Sequence, residues 1–317
     1  HREGGGPLPR RQASYLALAA TGELRTRVER AVAGLASCRM CPRRCGVNRL
    51  TAQSGAREKR LGLCRTGRVA KVAGYGPHFG EEPPLVGRGG SGTIFFSCCN
   101  LDCVFCQNWD ISHDDEGQEL SAEELAAVMV RLQELGCENI NLVSPSHVVP
   151  QILEALETAA AAGLRVPLVY NSGGYDAVET LRLLDGVVDI YMPDAKYASD
   201  DVAARYSGVS DYVGRNREAI REMHRQVGDL VCDERGVAAR GLLVRHLVLP
   251  GGAAGTEHVM RFLAREVSVH IYVNVMDQYH PAGEASKYPS LARRITGEEY
   301  REALAATRAA GLYRLDG

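Results

Sequence analysis

The sequence predicts an α/β fold: an open (β/α)6 partial barrel with a Cys-rich metal-binding segment in front of it. From residue 91 onward, short apolar runs typical of buried strands alternate with stretches of helical periodicity. Six such runs are fewer than the eight of a closed TIM barrel, so we expect an open parallel sheet with right-handed crossovers. Residues 38–90 are dense in Gly, Pro and Arg and have no apolar periodicity from which to build a core. We therefore divide the chain into a front segment, 1–90, and a barrel, 91–317.

The same patterns place each element along the chain. In the front segment, helical periodicity predicts a helix at 24–35, and a short apolar patch predicts a strand at 69–73. The barrel strands are predicted at 93–97, 139–143, 167–170, 187–191, 242–249 and 269–275. Helices are predicted at 121–135, 149–162, 177–184, 200–206, 212–227, 256–265 and 297–310, and Ser121 and Glu124 have capping-box spacing at the start of the first. Functional residues are expected at the carboxyl ends of the strands.

Composition excludes several classes of function. The chain has 317 residues with 37 Lys and Arg against 39 Asp and Glu, a formal net charge of -2. This balance provides no basic field for a phosphate backbone, so nucleic acid is not an expected partner. No run approaches the roughly 20 apolar residues of a spanning helix, and no stretch fits a secretion signal. The 10 cysteines are clustered, which is typical of metal-binding thiolates in a reducing compartment, so we expect a cytoplasmic protein without membrane contact.

Three cysteines directly after the first predicted barrel strand carry the clearest chemical signal. Cys99, Cys103 and Cys106 form a C-x-x-x-C-x-x-C pattern at the expected functional end of the sheet. Three thiolates so close in sequence can hold three irons of a 4Fe-4S cluster and leave the fourth iron open to a ligand. A zinc knuckle is the alternative, but zinc prefers four ligands, commonly in paired C-x-x-C hooks.

This pattern, followed by a loop that contains an aromatic residue, resembles the signature of the radical S-adenosylmethionine (radical SAM) superfamily. The string GSGTIFFS (90–97) and the residues through Asn108 resemble the subgroup related to pyruvate formate-lyase activating enzyme. Further stretches that resemble this subgroup are HFGEEP (78–83), YNSGGY (170–175), DIYMPDAKY (189–197), RHLVLPG (245–251) and QYHP (278–281). The resemblance covers roughly residues 15–316.

The resemblance implies a cluster that passes one electron to S-adenosylmethionine bound at its open iron. The sulfonium is then cleaved, and the resulting 5′-deoxyadenosyl radical takes a hydrogen atom from an unactivated carbon. An external electron donor of the flavodoxin or ferredoxin type is implied as a partner. The protein itself supplies position and the exclusion of water.

By the same resemblance, polar residues past the later strands bind the cofactor. Asp194 and Lys196 would hold the ribose and the methionine carboxylate, and a surface ion pair is the alternative interpretation. Arg245 and His246 are neighbours on the fifth strand, so one faces the barrel interior and the other faces the helices. We expect His246 inside, near the ribose, and a satisfied core histidine is the alternative.

One departure from the superfamily concerns the methionine amino group. Most members carry a Gly-Gly-Glu turn after the second strand, where this chain has SPSH (144–147). A hydroxyl or a carbonyl must then receive the amino group, and Ser144 and Ser146 are the candidates. After the third strand, Asn171 and Gly173 are further candidates for cofactor contacts. Glycine there offers backbone carbonyls and close approach, although a simple tight turn is the alternative.

Four cysteines in the front segment form a second group. Cys38, Cys41 and Cys45 lie close together, and Cys64 follows after eighteen residues. Four thiolates make a closed site, which fits structural zinc most simply. An auxiliary iron-sulfur cluster and four unligated thiols are the alternatives.

The remaining thiols are spare. Cys98 adjoins a cluster ligand at a place where related sequences usually have Gly, and Cys232 lies in a loop that looks exposed. Either could donate a hydrogen atom to a substrate radical, although a packed or idle thiol is the other interpretation of each. Cys137 precedes the second strand and is expected in the core.

Three functions remain open. The first, slightly favoured, is a small-molecule radical enzyme of oxidoreductase or isomerase type, for example a sugar epimerase in a biosynthetic pathway. The second is an activase that installs a glycyl radical on a partner enzyme. The third is a non-enzymatic iron-sulfur or zinc protein with a redox role, which would need neither Asp194 nor Lys196 at the strand ends.

Overall fold

The computed structural model describes residues 13–51, 61–114 and 116–316. The strands of these residues are β1 (Ala70–His78), β2 (Ser91–Phe96), β3 (Gln118–Leu120), β4 (Ile140–Val143), β5 (Leu168–Ser172), β6 (Ile190–Pro193), β7 (Val231–Cys232), β8 (Ala238–Leu247), β9 (Tyr272–Met276) and β10 (Arg314–Leu315). The α-helices are α1 (Tyr15–Thr21), α2 (Glu23–Ala33), α3 (Pro83–Val86), α4 (Trp109–Ser112), α5 (Ala122–Glu134), α6 (Val149–Ala161), α7 (Val178–Leu183), α8 (Asp200–Ser207), α9 (Tyr212–Val227), α10 (Thr256–Glu266) and α11 (Gly297–Ala309).

One mostly parallel sheet forms the centre of the fold. Its order is β10-β9-β8-β6-β5-β4-β2-β1-β3, and β7 pairs with β8. Six neighbouring strands of this sheet run parallel to one another: β2, β4, β5, β6, β8 and β9. They correspond to the six predicted strands. Within the described ranges, the edge strands β3 and β10 do not pair with each other, so the barrel is open. The predicted fold class is confirmed.

The bounds of individual elements differ from the predicted ones where tertiary pairing decides them. The strand predicted at 187–191 is β6, which begins three residues later because Val187 and Val188 turn back to Leu184 in hydrogen bonds after α7. The strand predicted at 69–73 is the longer β1, because it pairs with β2 as far as His78. The capping box at Ser121 and Glu124 is present as predicted.

The sequence patterns did not predict α1, α3, α4, β3, β7 or β10. Each is short, so local periodicity gives little signal for it. The start of α1 is held beside the beginning of β6. The backbone N–H and the hydroxyl of Ser14 both donate to the carboxylate of Asp189, the residue before β6. No helix of the described residues is long and apolar enough to cross a membrane.

Alternation along the parallel strands separates an apolar outer core from a more polar barrel interior. Tyr170, Tyr191 and Val244 face outward into the core between the sheet and the helices. Inside, Leu85 and Leu243 belong to an apolar cluster at the amino ends of the strands. The polar side chains of the interior therefore collect at the carboxyl ends, where the loops that follow the strands meet.

Candidate active site at the carboxyl ends of the strands

The three cysteines after β2 lie together at the mouth of the barrel. Cys99, Cys103 and Cys106 line one cavity of about 230 Å³. Burial raises the pKa of the Cys99 thiol to about 12, and the nearby Cys103 and Cys106 raise it further. Burial likewise raises the pKa of Cys103 to about 11. The three thiols therefore share one cavity, as ligands of a common iron-sulfur cluster must, although no three Cys, His, Asp or Glu side chains of the described residues already surround one point.

Two serines outside the cysteine pattern contact these thiols. The Ser207 hydroxyl lies 3.0 Å from the Cys103 sulfur, and the Ser112 hydroxyl donates to the Cys106 sulfur at 3.2 Å. The sequence analysis missed both serines. Ser207 is 104 residues from Cys103, so only the folding of α8 against the loop brings them together. Such contacts to cluster sulfurs set reduction potentials in iron-sulfur proteins.

A charged network lines the same cavity. Lys196 and Arg245 both donate to the Asp194 carboxylate, and Arg245 also donates to the side chain of Asn171 at 2.7 Å. Burial alone would raise the pKa of Asp194, but the Arg245 and Lys196 cations outweigh this effect and lower it. Burial alone would lower the pKa of Lys196, but the Asp194 carboxylate outweighs this effect and raises it. The network is therefore fully charged, and Lys196 retains donors for a further anion.

Two glycines after β5 let the backbone come close to this network. A Cβ at Gly173 would lie 2.8 Å from the Leu101 side chain in the cysteine loop. A Cβ at Gly174, where φ is +73°, would lie 2.0 Å from the Asp194 carbonyl oxygen. The Gly173 carbonyl accepts from Tyr212 at 2.9 Å. Gly173 thus lines the cavity, but one lone pair of its carbonyl already serves the packing of α9.

Of the two serines after β4, the fold brings only Ser144 to the cavity. Ser144 lines it in a left-handed conformation with φ 59°, a strain of about 1–3 kcal/mol that is commonly found at functional sites. Ser146 is buried, and its side chain lies near Tyr170 and Asp176. The backbone reverses between the two serines in a short 3-10 turn.

The expected orientation of the neighbours on β8 is wrong. Arg245 faces the cavity, whereas His246 faces outward and is fully buried. The imidazole is hydrogen bonded to the Ala195 carbonyl at 2.6 Å and to the Thr256 hydroxyl at 2.9 Å, at the start of α10. The alternation of the strand was predicted correctly, but the register that decides which residue points inward depends on pairing with β6 and β9.

Neither spare thiol lines the cavity. Cys98 is buried with φ 66°, a left-handed conformation that explains why glycine would also suit the position. Cys232 was expected in an exposed loop, but it lies on β7, partly buried against the apolar cluster at the amino ends of the strands. Cys137 is buried in the outer core as predicted.

The four cysteines of the front segment approach one another beside the barrel mouth. A hydrogen bond from the Cys45 thiol lowers the pKa of Cys38 to about 5, and the Arg49 guanidinium contributes to the decrease. Burial raises the pKa of Cys41 to about 12, with Cys64 adding to the increase. No three Cys, His, Asp or Glu side chains of the described ranges already surround one point as ligands of a single ion. The second metal site stays a prediction.

Two arginines connect this group to the cysteine loop of the barrel. Arg43, between two of the front cysteines, donates to the Asn100 carbonyl at 2.6 Å. Arg65, directly after Cys64, donates to the Ser112 carbonyl at 2.9 Å. The front segment therefore packs on both ends of the loop that carries the three barrel thiols.

These features define a class: a partial barrel with three thiols and a charged network at its mouth. The model of the radical SAM superfamily matches residues 93–235. An uncharacterized protein of Methanocaldococcus jannaschii is 34% identical over 279 residues, which cover 84% of this chain and 73% of that protein. The chain belongs to the radical SAM superfamily.

The solved structures to which this chain is similar show only a distant likeness to it. A radical SAM methyltransferase from Sphaerobacter thermophilus has a TM-score of 0.48 and 17% identity, covering 96% of this chain and 94% of that one. SuiB from Streptococcus suis has a TM-score of 0.47 and 9% identity, covering 69% and 46%. Members of the superfamily are enzymes that use a 4Fe-4S cluster and S-adenosylmethionine and usually need an external reductant.

Proposed function

We propose that the chain cleaves S-adenosylmethionine reductively and takes a hydrogen atom from a carbon of a small-molecule substrate. The observation that carries this proposal is the common cavity of the three barrel thiols and the Asp194 and Lys196 pair. Thiols suited to a cluster and charged groups suited to a zwitterionic nucleoside face the same space.

The chain's own residues have distinct tasks in this proposal. When bound, the cluster supplies one electron and the cleaved cofactor supplies a carbon radical. Lys196 pairs with the methionine carboxylate, and Asp194 accepts a hydrogen bond from a ribose hydroxyl. The hydroxyl of Ser144 receives the methionine amino group. Arg245 is a positioning residue, because it holds Asp194 and Asn171 at the same edge of the cavity.

The four front cysteines hold a structural zinc ion in this proposal, and an auxiliary iron-sulfur cluster is the alternative. The interaction of Cys38 with Cys45 and of Cys41 with Cys64 supports a shared ligand. A metal there would stiffen a segment without its own core and, through Arg43, support the barrel cysteine loop.

The position of the spare thiols bears on the type of reaction. An epimerase returns a hydrogen atom from the opposite face of the substrate and needs a donor thiol, but neither Cys98 nor Cys232 lines the cavity. Hydrogen abstraction of oxidoreductase type is therefore better supported than a sugar epimerase. A flavodoxin or ferredoxin type donor supplies the electron, in a reducing compartment such as the cytoplasm that keeps clustered thiols reduced.

A glycyl radical activase, similar to the activating enzyme of pyruvate formate-lyase, is the second candidate. Tyr75 and Phe79 support it, because these aromatic side chains are 53% and 64% exposed. Tyr75 lies on β1 opposite Ile94 of β2, and Phe79 directly follows β1. Exposed aromatic side chains are enriched where proteins dock.

Anaerobic reconstitution tests the proposal. The wild-type protein should take up a 4Fe-4S cluster and, once reduced, release 5′-deoxyadenosine from S-adenosylmethionine. Cys103→Ala should lose both, whereas Cys137→Ala, which removes a buried thiol outside the cavity, should retain both. Full cluster absorption and cleavage in Cys103→Ala would contradict the proposal.

A further inference from the structure

A second, larger cavity lies beside the first at the carboxyl ends of β8 and β9. Its volume is about 630 Å³, and Arg245, Met276 and Gln278 line both cavities. The second cavity extends from these shared residues toward the segment before α3 and the end of β10. A molecule bound there would lie next to the cavity to which we have assigned S-adenosylmethionine, which is where a substrate must be.

Carboxylates dominate the lining of this second cavity. Glu81, Glu82, Asp277 and Asp316 contribute four acidic groups, and Arg245 is the only cation among the lining residues of the described chain. Arg245 is already hydrogen bonded to Asp194, and its guanidinium is 4.0 Å from Glu82. The cavity therefore has an excess of negative charge.

One of these carboxylates is buried and only half satisfied. Glu82 is 5% exposed, and its Oε1 accepts a hydrogen bond from Asn274 at 3.1 Å. Its Oε2 is buried without a hydrogen-bond partner among the described residues. Beside it, burial raises the pKa of Glu81, and the repulsion from Glu82 adds to the increase. A buried carboxylate oxygen that lacks a donor calls for a ligand that supplies one.

The arrangement selects an organic cation over a metal ion. No three acidic side chains of the described residues surround a common point closely enough to ligate a metal. The volume is also far larger than an ion, but it lies in the range of pockets that hold small molecules. A protonated amine donates up to three hydrogen bonds and carries the charge that the cavity lacks.

We propose that this acidic pocket binds the ammonium group of a small organic substrate and holds the substrate carbon next to the bound S-adenosylmethionine. The inference rests on the proposed function, because it assigns a substrate class to the same site. The carboxylate of Glu82 binds the ammonium group, and Glu81 and Asp277 add to the negative potential. The apolar side chain of Met276 lies between the two cavities and contacts the carbon chain of the substrate.

The experiment is calorimetric titration of the reconstituted holoenzyme with S-adenosylmethionine bound, under anaerobic conditions. The probes are 1,4-diaminobutane and 1-aminobutane, with 1-butanol and butyrate as neutral and anionic probes of similar size. The amines should bind about tenfold more tightly than 1-butanol, butyrate should not bind, and added salt should weaken amine binding. Equal affinity for amine and alcohol, or preference for butyrate, would overturn the proposal.

Variants test the assigned carboxylates. Glu82→Gln should lower the affinity for 1,4-diaminobutane about tenfold relative to that for 1-butanol, and Asp277→Asn, at an exposed position where folding is not at risk, should lower it severalfold. Glu257→Gln, which removes an exposed carboxylate of α10, is the matched control and should leave amine binding unchanged. If both pocket variants bind the amines as tightly as the wild type does, the amines bind elsewhere and the proposed site is rejected.

Cleavage of S-adenosylmethionine by the same wild-type preparation separates this inference from the proposed function. Cleavage without selectivity for amines rejects the acidic pocket and leaves the radical function standing. Selective amine binding without cleavage retains the pocket and rejects the radical function.

Discussion

The guanidinium of Arg245 donates to the carboxylate of Asp194 at 2.9 Å, across the neighbouring strands β8 and β6. Lys196 donates to the other oxygen of the same carboxylate. One buried anion thus holds two cations, and this trio carries an excess positive charge toward the three barrel thiols. On the opposite side of Arg245, the acidic pocket carries an excess of negative charge. Arg245 therefore separates a place suited to a carboxylate from a place suited to an ammonium group.

Replacement of Lys196 by Met should weaken S-adenosylmethionine binding. Met keeps much of the side-chain volume and removes the charge, and loss of a hydrogen bond to a charged group costs about 1.5–3 kcal/mol, or roughly tenfold to a hundredfold in affinity. Anaerobic titration measures the affinity, and cluster content should not change. Lys287→Met, which removes an exposed lysine paired with Glu284, is the control. Unchanged affinity in Lys196→Met would show that another residue holds the carboxylate.

Ser112→Ala should lower the reduction potential of the cluster by tens of millivolts. The Ser112 hydroxyl donates to the Cys106 sulfur at 3.2 Å, and such a bond stabilises the more negative, reduced state. A redox titration followed by electron paramagnetic resonance measures the potential. Ser268→Ala removes a hydroxyl that binds Asp229 instead, and it should have no effect. An equal potential in both variants would mean that this contact does not tune the cluster.

Cys41→Ser and Cys64→Ser should each remove the second metal and lower the melting temperature. The front segment has no core of its own, so its order depends on the bound ion. Metal analysis should find about one zinc beside four irons in the wild type, and less zinc in both variants. Cys137→Ser is the control for loss of a buried thiol. Additional iron in place of zinc would favour the auxiliary cluster. The absence of both zinc and additional iron would reject the site.

Because of His246, the stability of the protein should depend on pH below about 6.5, the ordinary pKa of a histidine. Burial lowers the pKa of this fully buried imidazole to about 4, whereas the unfolded chain takes up the proton near 6.5. The contribution of this imidazole to stability is therefore complete above about pH 6.5 and decreases by about 1.4 kcal/mol per pH unit as pH falls toward 4.

Melting temperatures of the holoprotein between pH 7.5 and 5 measure this dependence. His246→Gln should reduce the slope by about half, because glutamine does not titrate and the buried His147 still does. His258→Gln, at an exposed position of α10, should leave the wild-type slope. A slope in His246→Gln as steep as in the wild type would assign the effect to other groups, such as His147, whose pKa burial lowers to about 3.

The sequence by itself determined the number and kind of barrel elements and the chemistry of the cysteine loop. Alternating apolar runs and helical periodicity are local properties, and so is the spacing of Cys99, Cys103 and Cys106 directly after a strand. The resemblance to the activase subgroup singled out Asp194 and Lys196, and their place just past a predicted parallel strand put them at the functional edge of the sheet.

Only the tertiary structure decided which side chains point into the site. Arg245 faces inward and His246 outward because pairing with β6 and β9 sets the register of β8, and a shift of one residue would exchange them. Ser207 reaches Cys103, and Glu82 reaches Arg245, across more than a hundred residues of chain. Such contacts follow from how the elements pack together, and no pattern within a local stretch of sequence encodes that packing.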